Sequence, residues 1–250
     1  MGTFAPDLEY FIRLAAGSGW GHTFSGVFGM SLPLGLVALW LFHRLVKVPL
    51  VYLLPESVRA RLSSQLAPFR FGPPMRYLNI VVSLLVGVIT HVIWDSVTHR
   101  GRWLDRLVPW LHHFHRIPVL GGLTVFGMLQ ILSSVAGLVI LAVWSRRWYR
   151  RTQPDPQAPV NPFTPHHRHL VVVMGVAAAA AGAVLRAWVG VGLPRNPYET
   201  DDFLGLVVVT FGALVWWQLA LWGLLGPFRG AGRRASEEET YMQSRASVEQ

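Results

Sequence analysis

Apolar positions gather into five stretches, roughly 26–46, 77–98, 120–144, 170–193 and 203–226. Each is long enough to cross a bilayer core as a helix of about 20 residues. Polar segments rich in Arg, Pro and His separate them. The pattern predicts an all-α, polytopic integral membrane helix bundle of about five transmembrane helices. Pro33, near the outer end of the first stretch, predicts a kink of the kind membrane helices tolerate. In the fourth, Gly175 with Ala179 and Ala178 with Gly182 place small residues at helical spacing, which suits close helix contact in lipid. In the third, Gln130, Ser133 and Ser134 predict hydrogen bonds between helices.

Charge then orients the bundle. Of the 22 Lys and Arg residues, 15 fall at the end of the first stretch (Arg44), in the connections after the first and third stretches and in the C-terminal tail. Basic connections stay cytoplasmic, so the N-terminus is expected outside and the C-terminus inside. Residues 1–25 then form an outer N-terminal segment, 26–226 the membrane helical domain, and 227–250 a disordered cytoplasmic tail. The stretch 152–165 (TQPDPQAPVNPFTP) reads as a Pro-rich cytoplasmic linker. This distribution absorbs most of the net charge of +9, so the bilayer, not nucleic acid, is the expected partner. With 52% hydrophobic and 14% charged residues the chain is not disordered as a whole. Zero Cys excludes a disulfide scaffold, a thiolate zinc site and a cysteine nucleophile.

The second stretch ends in GVITHVIWDSVTHRGRW, with His91, Asp95 and His99 at i, i+4 and i+8 along one helix face. His91 falls about 10 Å below the outer end of its span at 1.5 Å per residue. An Asp inside a membrane helix costs at least ~2.5 kcal/mol unless it is paired or faces a polar cavity. Neutral His and ionised Asp are good ligands for a divalent metal, zinc foremost. The plainer reading is a His–Asp pair that satisfies itself in the bundle, with His99 merely interfacial.

The N-terminal segment tips that balance. Asp7 in APDLEYF and His22 in GWGHTFSG reach the same outer boundary as the His/Asp end of the second span. Carboxylates and imidazoles thus converge from two distant segments, as a hydrolytic metal site requires. Glu9 is a further carboxylate for a general base, or simply a solvated residue.

The blocks APDLEYF, GHTFSGVFGMSLPLGLVALWLFHRLV, VGVITHVIWDSVTHRGRW and LQILSSVAGLVILAVW resemble the bacterial membrane family known as domain of unknown function 4184 (DUF4184) over roughly residues 4–226. The resemblance implies a multi-pass protein of the bacterial inner membrane and no particular activity. More distantly, the Asp…His…HxxxD series resembles inner-membrane metal-dependent hydrolases and the zinc phospholipase C/P1 nuclease group. That resemblance implies zinc ligands at Asp7, His22, His91 and Asp95 and phosphoester hydrolysis. Members of the family usually begin with a further block carrying a PFTxSH-like motif, whose His would be another ligand, so the resemblance implies either a start truncated here or a site with one ligand fewer.

Arg186, inside the fourth span, is expected either to pair with Asp95 or to clamp a substrate phosphate. The groups His112, His113, His115 and His166, His167, His169 read first as solvated. No G-x-S-x-G, H-E-x-x-H or P-loop pattern is present. The sequence therefore points to a metal-dependent hydrolase of a phosphoester, lipid-borne or otherwise, at the outer membrane–water boundary. The site would hold Asp7, His22, His91, Asp95 and His99 on the metal, with Glu9 and Arg186 catalytic. The alternative is a non-enzymatic transporter or proton/ion path using His91, Asp95 and Arg186.

Overall fold

Five helices long and apolar enough to cross a membrane organise the chain: Phe24–Leu53, Pro74–Thr98, Val125–Arg151, Pro165–Val191 and Asp202–Leu225, here called the first to fifth spans. The computed structural model describes residues 1–14, 20–98, 104, 107–112, 114–115, 123–195 and 197–225. The expected tail, and His99 with it, lie outside the described residues. Local chemistry sets several helix ends. Thr23 caps the first span by accepting from Gly26 N at 3.0 Å, and Thr164 caps the fourth by accepting from His167 N at 3.3 Å. Gly192, at φ 82°, ends the fourth span in a backbone region open to glycine.

The first span is not a uniform α-helix. It carries two π-helical turns, Val27–Ser31 and Phe42–Val46. Pro33 follows the first of them at the start of the α-helical segment Leu32–Leu41. The fifth span crosses the second π turn so closely that a Cβ on Gly223 would collide with the Leu45 carbonyl.

The fourth and fifth spans form the tightest pair. Ala179, Ala183, Ala187 and Ala213 are fully buried. A Cβ on Gly182 would lie 2.8 Å from Leu214 Cδ1. Small side chains thus let two helices approach without a hydrophobic drive from water. Gly175 and Ala179 lie on this contact face as expected, but Ala178 is exposed.

In the third span the expected interhelical hydrogen bonds are not made among the described residues. Ser133 Oγ donates instead to the Gln130 carbonyl of its own helix at 3.0 Å. Among the described residues this span buries only its N-terminal end, where Val125 and Phe126 pack on Leu111.

The Pro-rich connection 152–165 is docked. Arg61 Nε donates to Thr152 O at 2.9 Å, and its guanidinium lies 4.1 Å from the Tyr149 ring centroid. Ser63 Oγ donates to Asp155 Oδ2 at 2.7 Å, and Asn161 Nδ2 donates to Tyr52 O at 2.8 Å. Arg59 is buried, bonded to Pro159 O and paired with Glu56 at 2.6 Å. The hydroxyl of Ser63 and the backbone N–H of Gln157 hold the Asp155 carboxyl below its ordinary pKa. The connection thus fastens the third and fourth spans to the loop after the first.

A candidate metal centre

The site begins with two glycines. Residues Gly2–Asp7 form a 3-10 turn that lies flat on the second span. A Cβ on Gly2 would sit 2.6 Å from Leu84 O, and one on Gly87 would sit 2.7 Å from Gly2 Cα. Only two residues lacking Cβ allow this approach. The turn is then held by Ala5, fully buried with Val27 and Val88. Gly87, His91 and Asp95 follow one another along a single helix face. The turn runs up that face and delivers Asp7 to the level of His91.

His22 arrives from the opposite side. It ends the 3-10 turn Trp20–His22, and Thr23 N donates back to Trp20 O at 2.9 Å. The fully buried Ser31, in the first π turn, donates from Oγ to Gly21 O at 2.9 Å. Gly21 has no room for a side chain, since a Cβ would be 3.0 Å from Pro6 O. Tyr10 stacks on the His22 ring at 5.9 Å and 16°. The imidazole is fixed in place, with only 1% of its side chain exposed.

Four donor atoms meet there. His22 Nε2 is 3.2 Å from Asp7 Oδ1 and 3.2 Å from Asp95 Oδ2. His91 Nε2 is 3.5 Å from Asp7 Oδ1 and 3.3 Å from Asp95 Oδ2. The two Nε2 atoms are 3.3 Å apart. Two ligands on one zinc, each ~2.0–2.1 Å from the ion at a tetrahedral angle, stand ~3.3 Å apart. The donor atoms of Asp7, His22 and His91 all lie within 4.8 Å of one another, a grouping that could hold an ion. Burial would raise the Asp7 carboxyl, but hydrogen bonds and charge from His22 and His91 outweigh it and hold it below its ordinary pKa. Asp7 keeps 31% of its side chain exposed, and His91 keeps 16%. The cluster is therefore closed on the His22 side and open towards Asp7.

The profile of the family described as domain of unknown function (DUF4184) matches residues 1–224. The chain belongs to the DUF4184 family. The match runs from the Gly2–Asp7 turn into the fifth span, so all four converging residues lie within the DUF4184 region. No curated protein and no solved structure matches the chain.

Other candidates of this DUF4184 member fall elsewhere. Glu9 accepts from Arg13 Nη1 at 2.7 Å, while its Oε2 is buried without a hydrogen-bond partner among the described residues. Arg186 turns along its own helix, with Nη1 2.6 Å from where a Cβ on Gly190 would be. Among the described residues, Asp95 pairs with His22 and His91, and Arg186 is not a partner. His166 and His167 are exposed at the start of the fourth span. The side chains of His112, His113 and His115 lie outside the described residues. Sequence reasoning did not find Ser31, Tyr10 or the Gly2–Gly87 contact. The one available signal was Gly87, placed four residues before His91 on the ligand face.

Proposed function

We propose that this chain binds a divalent metal through Asp7, His22, His91 and Asp95 and uses it to hydrolyse a phosphoester at the membrane surface. The observation that carries this reading is the convergence of four donor atoms at 3.2–3.5 Å from segments far apart in sequence. A bound ion would lower the pKa of its water to ~7 and polarise a phosphoryl oxygen. The open side towards Asp7 is where water and substrate would enter. Glu9 is paired with Arg13 and Arg186 turns along its own helix, so the proposal gives neither a step in the chemistry. Zinc suits a mixed His and carboxylate set, and manganese is the next choice.

The exposed aromatics Trp20, Phe24 and Phe28 flank the His22 turn, so the substrate of this proposal is amphiphilic and presents its headgroup at the boundary. The outward orientation rests on the basic excess at the other ends of the spans. An ion-path reading needs Arg186 in the cluster, and its position beside Gly190 lends that reading no support.

The test is turnover of a panel of phosphodiesters and lipid phosphates by the detergent-purified protein, with added Zn²⁺ or Mn²⁺. Metal-dependent hydrolysis lost in Asp7→Asn and His22→Ala, with helix content unchanged, would support the proposal. Turnover that survives both substitutions, or none on any substrate with metal bound, would overturn it.

A further inference from the structure

At the end of the first two spans away from the metal cluster, an aromatic ladder joins them. Phe42 stacks on Trp216 at 6.2 Å, and His43 stacks on Phe69 at 3.9 Å and 7°. Phe69 meets Phe71 at 5.3 Å, and Phe71 meets Tyr77 at 6.5 Å. Arg76 lies over Phe69, its Cζ 5.2 Å from the ring centroid. Beside the ladder is a groove of about 290 Å³ lined by Leu36, Val37, Trp40, Phe71 and Tyr77. Val37, Trp40 and Tyr77 are 51%, 49% and 46% exposed, so the groove opens sideways to where lipid would be.

Charge distinguishes this groove from an ordinary lipid-facing hollow. Between residues 42 and 77 the only acidic residue is Glu56, and it is paired with Arg59. Lys47 Nζ donates to Ala67 O at 2.7 Å. Arg70 and Arg76 are exposed and make no ion pair among the described residues. A volume just below the ~300 Å³ of small ligand pockets fits a hydrocarbon chain rather than a partner helix. We propose that this is a site for an anionic phospholipid, with one acyl chain in the groove and its phosphate between Arg70 and Arg76. Aromatic residues at headgroup depth and clustered guanidinium groups supply the two halves of such a site. The proposal is independent of the metal centre.

The test reconstitutes the full chain in nanodiscs containing brominated-chain phosphatidylglycerol or phosphatidylcholine, bromine quenching nearby tryptophan. The Trp40 signal is the difference between wild type and Trp40→Phe. Half-maximal quenching is expected at a lower mole fraction of phosphatidylglycerol, by roughly fivefold for each arginine engaged. Arg70→Gln with Arg76→Gln should bring the two lipid curves together, and Arg70→Lys with Arg76→Lys should keep most of the difference. Arg146→Gln with Arg147→Gln, a change of equal charge elsewhere, should leave it intact. Coincident curves in the wild type would overturn the proposal. So would a preference that survives the double Gln variant, or one lost equally in the Arg146/Arg147 variant.

Discussion

His22 Nε2 lies 3.3 Å from His91 Nε2, although 69 positions separate the two residues in sequence. Each nitrogen also faces Asp7 Oδ1 and Asp95 Oδ2 at 3.2–3.5 Å. A ring nitrogen carries either one proton or one lone pair. It cannot serve three neighbours at once by hydrogen bonding. If one ring donates to the other, the accepting nitrogen is left with its lone pair towards two carboxylate oxygens; if both or neither carry the proton, like groups oppose each other. The divalent cation proposed for Asp7, His22 and His91 would relieve that conflict.

Gly87→Val should weaken metal binding without altering a ligand. The new side chain would occupy the space of Gly2 Cα, 2.7 Å from the position of its Cβ, and lift the Gly2–Asp7 turn from the second span. Overpacking of this kind costs typically ~1–3 kcal/mol. Zinc affinity by competition with a chromogenic chelator should fall at least tenfold, with the helical spectrum retained. Unchanged affinity would show that Asp7 reaches the cluster without this contact.

Ser31→Ala should act more mildly on the other side. It removes the Oγ–H bond to Gly21 O and leaves that buried carbonyl unsatisfied, a cost of ~1–3 kcal/mol. The melting temperature of the metal-free protein should drop, and added metal should recover part of the loss by binding the folded state. No drop would remove Ser31 from the positioning of His22.

Arg61→Ala should release the connection 152–165 without touching the metal centre. Its bonds to Tyr149 O, Thr152 O and Ser57 O and its stacking on Tyr149 would all be lost. Limited proteolysis should cut within 152–165 several-fold faster than in the wild type, at equal metal content. Equal cutting rates would show that Ser63–Asp155 and Asn161–Tyr52 suffice to hold it.

Reporter fusions after Arg70 and Gln157 should both read as cytoplasmic, because both connections carry the basic excess. An external signal at either would invert the orientation proposed for the metal centre.

The spans were legible because membrane helices declare themselves by composition alone: 77–98 and 203–226 correspond to helices Pro74–Thr98 and Asp202–Leu225. The His91–Asp95 pair was legible from helical spacing, and Asp7 and His22 from the side to which their segment leads. The means of convergence was not. The Gly2–Gly87 contact depends on backbone approach, which leaves no periodic pattern. The π turns Val27–Ser31 and Phe42–Val46 have the same composition as an α-helix. The docking of 152–165 is made by Arg59, Arg61 and Ser63 to main-chain carbonyls and one carboxylate, and carbonyls belong to every residue alike. The connection therefore read only as a Pro-rich linker.

The central claim is that Asp7, His22, His91 and Asp95 hold one ion, and metal analysis of the purified protein tests it most directly. Protein exposed to Zn²⁺ or Mn²⁺ and freed of excess by gel filtration should carry about one ion per chain, since several His and carboxylate ligands acting together retain their metal. His22→Ala and His91→Ala should each lose most of it, while His166→Ala, at the exposed start of the fourth span, should keep it. Equal metal content in the wild type and both ligand variants, or none in any of them, would contradict the account.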